Sequence, residues 1–188
     1  MLSLREATGS LYGAYRLARF DAGGMAFFDT SVDGFWRSFY AAAMVAPFYA
    51  VLLALRYSLE IDPPHPMRFF LLYADAYVIS WLAFPVVMAG LSGIIGRQPQ
   101  FTRYIVAYNW AAVLQNALYL PLAMLQASES LPRDAGNLFG LIVLVAVLVY
   151  IWFITRTALV VAATTAAGIV AVDFFLTLII HGFIEGRL

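Results

Sequence analysis

The stretch "LFGLIVLVAVLVYIWFITRTALVVAATTAAGIVAVDFFLTLIIHGFI", residues 138–184, carries only two full charges, Arg156 and Asp173. As one helix it would measure roughly 70 Å at 1.5 Å per residue. A bilayer core is only about 30 Å thick, so the segment must fold back on itself. The interior arginine in "TRT", 155–157, marks the expected turn of a helical hairpin with spans at 138–155 and 159–183.

Upstream, three further segments approach the roughly 20 apolar residues that one crossing requires: 39–55, 69–95 and 104–125. The shortest of these gains length through Phe35 and Trp36, rings favoured at a membrane interface. The expected fold is an all-α integral membrane protein, a five-span helical bundle over residues 37–188. Residues 1–36 form a separate N-terminal segment. There Leu4, Ala7, Leu11, Ala14, Tyr15 and Ala18 recur at helical spacing opposite Arg5, Arg16 and Arg19. This reads as an interfacial amphipathic helix, or equally as a helix packed on the bundle. Gly23 and Gly24 end it, and Asp29 or Ser31 can cap the next helix.

The composition supports this reading and narrows the chemistry. Of 188 residues, 63% are apolar and 12% charged, and the mean hydropathy is +0.84; one soluble core could not bury such an excess. A formal net charge of zero gives no reason to expect a nucleic-acid partner. With no Cys, thiol nucleophiles, disulfides and thiolate metal sites are excluded. No stretch near the N-terminus reads as a cleaved signal peptide. The eleven basic residues are all Arg, and counting them near span ends orients the chain. With the N-terminus inside, Arg5, Arg16, Arg19, Arg37, Arg97, Arg103 and Arg156 lie inside, and Arg56, Arg68, Arg133 and Arg187 lie outside. Seven against four favours a cytoplasmic N-terminus and an external C-terminus, in the inner membrane if the chain is bacterial.

The candidate site is a polar intramembrane cluster. Asp173 falls near the middle of the fifth span, where a lone carboxylate costs a few kcal/mol. Thr177 and His181 follow at i+4 and i+8 on the same face. In the third span Asn109 and Asn116 share a face seven residues apart, and Asn116 matches Asp173 in depth, so a direct hydrogen bond between them is expected. Asp75, between Tyr73 and Tyr77, lies nearer the outer interface. Asp173 has a functional reading, as a proton or ion site, and a structural one, as a buried hydrogen-bonded residue that fixes packing; the amides read as ligand-binding groups or as glue between helices, and Asp75 as a solvated or tyrosine-bonded carboxylate, and the structural reading is favoured throughout. "GLSG" at 90–93 has the form of an intramembrane serine-protease motif, but Ser92 and His181 fall on opposite membrane faces, beyond hydrogen-bond reach. Two isolated His residues make no metal cluster, and neither a cofactor nor an enzymatic activity is expected.

Five spans preceded by a cytosolic segment, with "WLAFPVVMAGLSGIIGR" (81–97), "RYIVAYNWAAVLQNALYLP" (103–121) and the polar turn in "WFITRTALVV" (152–161), resemble the Yip domain family and its bacterial relatives over roughly residues 35–183. The resemblance implies a non-enzymatic membrane organiser that acts through partners, and it carries over no functional residue. The expected partners are membrane lipid and other membrane proteins or further copies of the chain. Two alternatives are a small transporter or channel that uses the cluster around Asp173, and an accessory subunit of a larger membrane complex.

Overall fold

The computed structural model describes residues 2–186; Arg187, one of the arginines counted for orientation, lies outside them. Among the described residues seven α-helices follow in order: α1 (Leu4–Ala18), α2 (Val32–Ser38), α3 (Tyr40–Leu59), α4 (Pro66–Ile94), α5 (Phe101–Ala127), α6 (Arg133–Leu159) and α7 (Ala163–Glu185). No strand occurs among the described residues. Among the described residues four helical segments are long and apolar enough to cross a membrane: Val32–Leu59, Pro66–Ile94, Arg133–Leu159 and Ala163–Ile184.

The segment expected as the third span is the centre of the bundle. α5 is 27 residues long, but its Asn, Gln, Tyr and Trp residues leave it the least apolar of the long helices. Its first half explains why: Tyr104, Ile105, Ala107 and Asn109 are 0% exposed and Trp110 2%. α1 and α2 cover this half together with α4 and α6. A helix wrapped by protein need not be lipophilic on every side.

α5 and α6 run antiparallel along their whole lengths. Near the start of α5, Tyr104 donates to the Thr155 hydroxyl at 3.0 Å, because the Thr155 proton is already given to the Ile151 carbonyl. Near the end of α5, the Gln126 amide donates to the Gly136 carbonyl in the first turn of α6. The two ends of the bundle differ. At one, here the cap end, α1, a 3-10 turn (Ala22–Phe27) and α2 lie over the α5 start and the α6 end. The connectors 60–65 and 128–132 mark the opposite, open end.

The N-terminal layer is built from short-range caps and close approach. Ser3 caps α1 through the Glu6 N–H, and Ser31 caps α2 through the Gly34 N–H. Gly13 of α1 and Gly24 of the turn meet backbone to backbone: a Cβ on Gly13 would stand 2.8 Å from the Gly24 carbonyl oxygen. Arg37 bridges the layer, donating to Glu6 at 2.7 Å and Asp29 at 2.5 Å. The Ser31 N–H and hydroxyl and the Arg37 guanidinium hold the Asp29 carboxyl below its ordinary value of 3.8. The clamp is therefore charged and present above that pH and is lost only in stronger acid. Asn109 of α5 donates to Ser38 of α2 at 2.8 Å, and Tyr150 of α6 donates to the Ala14 carbonyl of α1 at 2.7 Å. The buried face of α1 thus packs on the bundle, while Tyr12 and Tyr15 remain exposed.

The hairpin turn does not fall at "TRT". α6 continues to Leu159, and the chain reverses over residues 160–162, with Val160 left-handed at φ 53° and ψ 54°. Thr155 stays helical because its hydroxyl is satisfied inside the bundle. Arg156 reaches the surface from the last turn of α6, its guanidinium 5.6 Å from the centre of the Trp152 ring. The Trp152 indole N–H closes the hairpin onto the Ala163 carbonyl at 3.0 Å. A left-handed β-branched residue costs about 1–2 kcal/mol, and Val160 is 57% exposed, so little packing offsets it. Val160→Gly is expected to stabilise the protein by about 1 kcal/mol, read as a raised midpoint in thermal unfolding in detergent.

Candidate functional site

α7 runs from the cap end to the open end and carries Asp173, Thr177 and His181 on one face. Asp173 is buried and accepts a 2.9 Å hydrogen bond from the Tyr108 hydroxyl of α5. The expected bond to Asn116 does not form: the Asn116 amide donates to the Ala112 carbonyl of its own helix at 2.8 Å. Matched depth was not sufficient, because Tyr108 reaches farther from the α5 axis than an Asn amide can. The Thr177 hydroxyl donates to the Asp173 carbonyl at 3.0 Å. His181 Nδ1 lies 2.9 Å from the Thr177 carbonyl oxygen; a carbonyl can only accept, which puts the proton on Nδ1 and leaves Nε2 as a free acceptor in the neutral ring.

The other expected residues disperse. Asn109 belongs to the cap-end contact with Ser38, and its own Oδ1 is buried without a partner. Asp75 is exposed on the outer face of α4, away from the cluster. Ser92 is buried near the cap end and donates to the Ala89 carbonyl, whereas His181 lies toward the open end. No group of three or more His, Cys, Asp or Glu side chains able to hold a metal occurs among the described residues.

What the sequence did not reveal is the space these residues surround. In the open half, α3 packs on α5 and α4 on α7, and a partly open cavity of about 270 Å³ lies between the two pairs. Asn116, Thr177 and His181 all line it, and Tyr108 does so next to Asp173. The α4 wall is aromatic: Tyr77 stacks on Tyr49 of α3 with ring centres 5.0 Å apart and donates to the Ala42 carbonyl at 2.7 Å, while Trp81 lies one turn farther in. Arg56 of α3 and Tyr73 of α4 line both this cavity and a vestibule of about 610 Å³ under the connectors of the open end. The available signal was Tyr at i, i+4 inside apolar spans, at 73 and 77 and again at 104 and 108.

The chain matches no protein-family model, no curated protein and no solved structure.

Asp173→Asn keeps an acceptor for Tyr108 and is expected to leave the unfolding midpoint nearly unchanged. Tyr108→Phe leaves the buried Asp173 carboxyl without its partner and should destabilise by about 1–3 kcal/mol, measured by thermal unfolding of the two variants side by side.

Proposed function

We propose that this chain is a five-span, non-enzymatic protein of a bacterial inner membrane that organises lipid or partner proteins by binding at the open end of its bundle. The observation that carries this reading is the one-sided bundle: a polar, aromatic-walled cavity leads to the open end, and the N-terminal layer covers the other. Antiparallel pairing of α5 with α6 over their full lengths supports a fifth crossing, because a helix that accompanies a spanning neighbour from end to end spans with it. Arg5, Arg16, Arg19, Arg37, Arg97, Arg103 and Arg156 gather at the cap end, which supports a cytoplasmic cap and an external C-terminus. Exposed Tyr12, Tyr15 and Trp36 then stand at headgroup level, in keeping with a membrane-apposed N-terminal layer. An organiser acting through partners is also what the Yip domain resemblance implies.

A second reading, transport, is favoured by one observation: the cavity ends on Tyr108, and Tyr108 holds Asp173. A carrier carboxylate must change charge. Transport therefore requires an ion- or pH-dependent flux in proteoliposomes that disappears in Asp173→Asn, whereas a binding protein shows no such flux.

The topology has a direct test, since the chain contains no Cys and single cysteines can be introduced cleanly. Ser130→Cys, in the open-end connector, is expected to react with a membrane-impermeant maleimide in intact cells. Gln98→Cys, at the cap end, is expected to react only after permeabilisation. Equal labelling of both positions in intact cells would mean that α5 does not cross.

A further inference from the structure

Arg56 is half-buried where the vestibule meets the inner cavity. It makes no ion pair or hydrogen bond among the described residues. Glu60 and Asp62 line the vestibule but neither pairs with it. By contrast Arg16, Arg37 and Arg133 are ion-paired, and Arg156 stands over an aromatic ring. A partly desolvated guanidinium without an anion leaves strong, fixed donors unused.

The cavity it faces is rich in donors, and no carboxylate lines it among the described residues. Gln115 of α5 lines it, and the Gln115 Nε2 is buried without a hydrogen-bond partner. Beyond Arg56 the wall also carries apolar surface, with Leu52 one turn farther along α3, Ala76 and the Trp81 ring on α4 and Ala112 on α5. From Tyr73 to Trp81 the α4 wall descends roughly 12 Å at 1.5 Å per residue, the depth of a medium-length alkyl chain. Cavity and vestibule together provide the space of a small-molecule site, about 300–1,000 Å³.

We propose that this cavity binds an amphipathic anion, its carboxylate or phosphate head on the Arg56 guanidinium and its alkyl chain against the surface of Leu52, Ala76, Trp81 and Ala112. This rests on the binding reading above and names the class of molecule bound. The head can belong to a free amphipath or to an anionic lipid of the bilayer; the chemistry at Arg56 is the same.

The test is thermal unfolding of the purified full chain in neutral detergent. Decyl phosphate and decanoate are expected to raise Tm by a few degrees and saturably, as ligands of the folded state do. Decanol, decyltrimethylammonium and inorganic phosphate are expected to leave it unchanged. Arg56→Gln should keep the ligand-free Tm and lose the shift, and Arg56→Lys should recover part of it. If phosphatidylglycerol, but not phosphatidylcholine, added to the micelles abolishes the decyl phosphate shift, the occupant is the lipid; if neither competes, it is a free amphipath. A shift that persists in Arg56→Gln, or decanol acting as strongly as decyl phosphate, overturns the anion assignment and leaves the cavity as a binding site for neutral apolar molecules. Equal effects of inorganic and decyl phosphate overturn the amphipathic assignment. Neither result alters the cysteine-labelling pattern, which reports the topology independently.

Discussion

From Tyr104 to Ala111 α5 is buried on nearly every side, only Tyr108 being half-buried, and the positions of the other helices follow from that enclosure. In lipid, helices gain little from the hydrophobic effect when they meet, so association depends on close packing and interhelical hydrogen bonds. α5 supplies both. Ala107 and Ala111 are completely buried and add little bulk, and Trp110 fills the space between the neighbours. Tyr104, Tyr108 and Asn109 each send a hydrogen bond to a different helix: α6, α7 and α2. One turn and a half of α5 thus fixes three partners.

Enclosure at one end has a counterpart at the other. The N-terminal layer adds protein mass around α5 at the cap end, and nothing comparable surrounds its second half. There the helices are separated by large rings, as in the Tyr49–Tyr77 stack, instead of close-packed small residues. Rings that bridge two backbones hold them apart as well as together, and the space left between them is polar because hydroxyls and amides line it. The Asp173–Tyr108 bond stands at the boundary between the packed half and the open half, satisfying a carboxyl that would otherwise be costly at that depth.

The sequence was most legible where lipid contact decides composition. Long apolar runs located α4, α6 and α7 to within a few residues, and α3 was recognised although the helix extends to Leu59. It was less legible where protein replaces lipid. Polar and small residues in α5 look like a weak span, yet they belong to the most buried helix. The hairpin turn is not legible from charge, because Arg156 lies within the last turn of α6 and the chain reverses only after Leu159. A guanidinium on a long stem reaches the surface from within a helix, and the actual reversal uses a left-handed Val that leaves no trace in composition. Among the candidate residues, one shared face, Asp173, Thr177 and His181, followed from helical periodicity. The partner of Asp173 did not, because side-chain reach and helix rotation, not depth alone, decide which groups meet. Cavities left no signature except the spaced tyrosines.

The hydrogen bond from Tyr150 to the Ala14 carbonyl joins residues 136 positions apart. A ribosome makes the N-terminal layer well before α5 and α6, on whose surfaces it docks. Ser10, Ala14 and Leu17, all buried in the finished protein, must therefore spend most of synthesis without the α5 and α6 neighbours that complete their burial. The N-terminal layer is thus made before the surfaces it fits, and the sealing of the cap end must wait for α5 and α6.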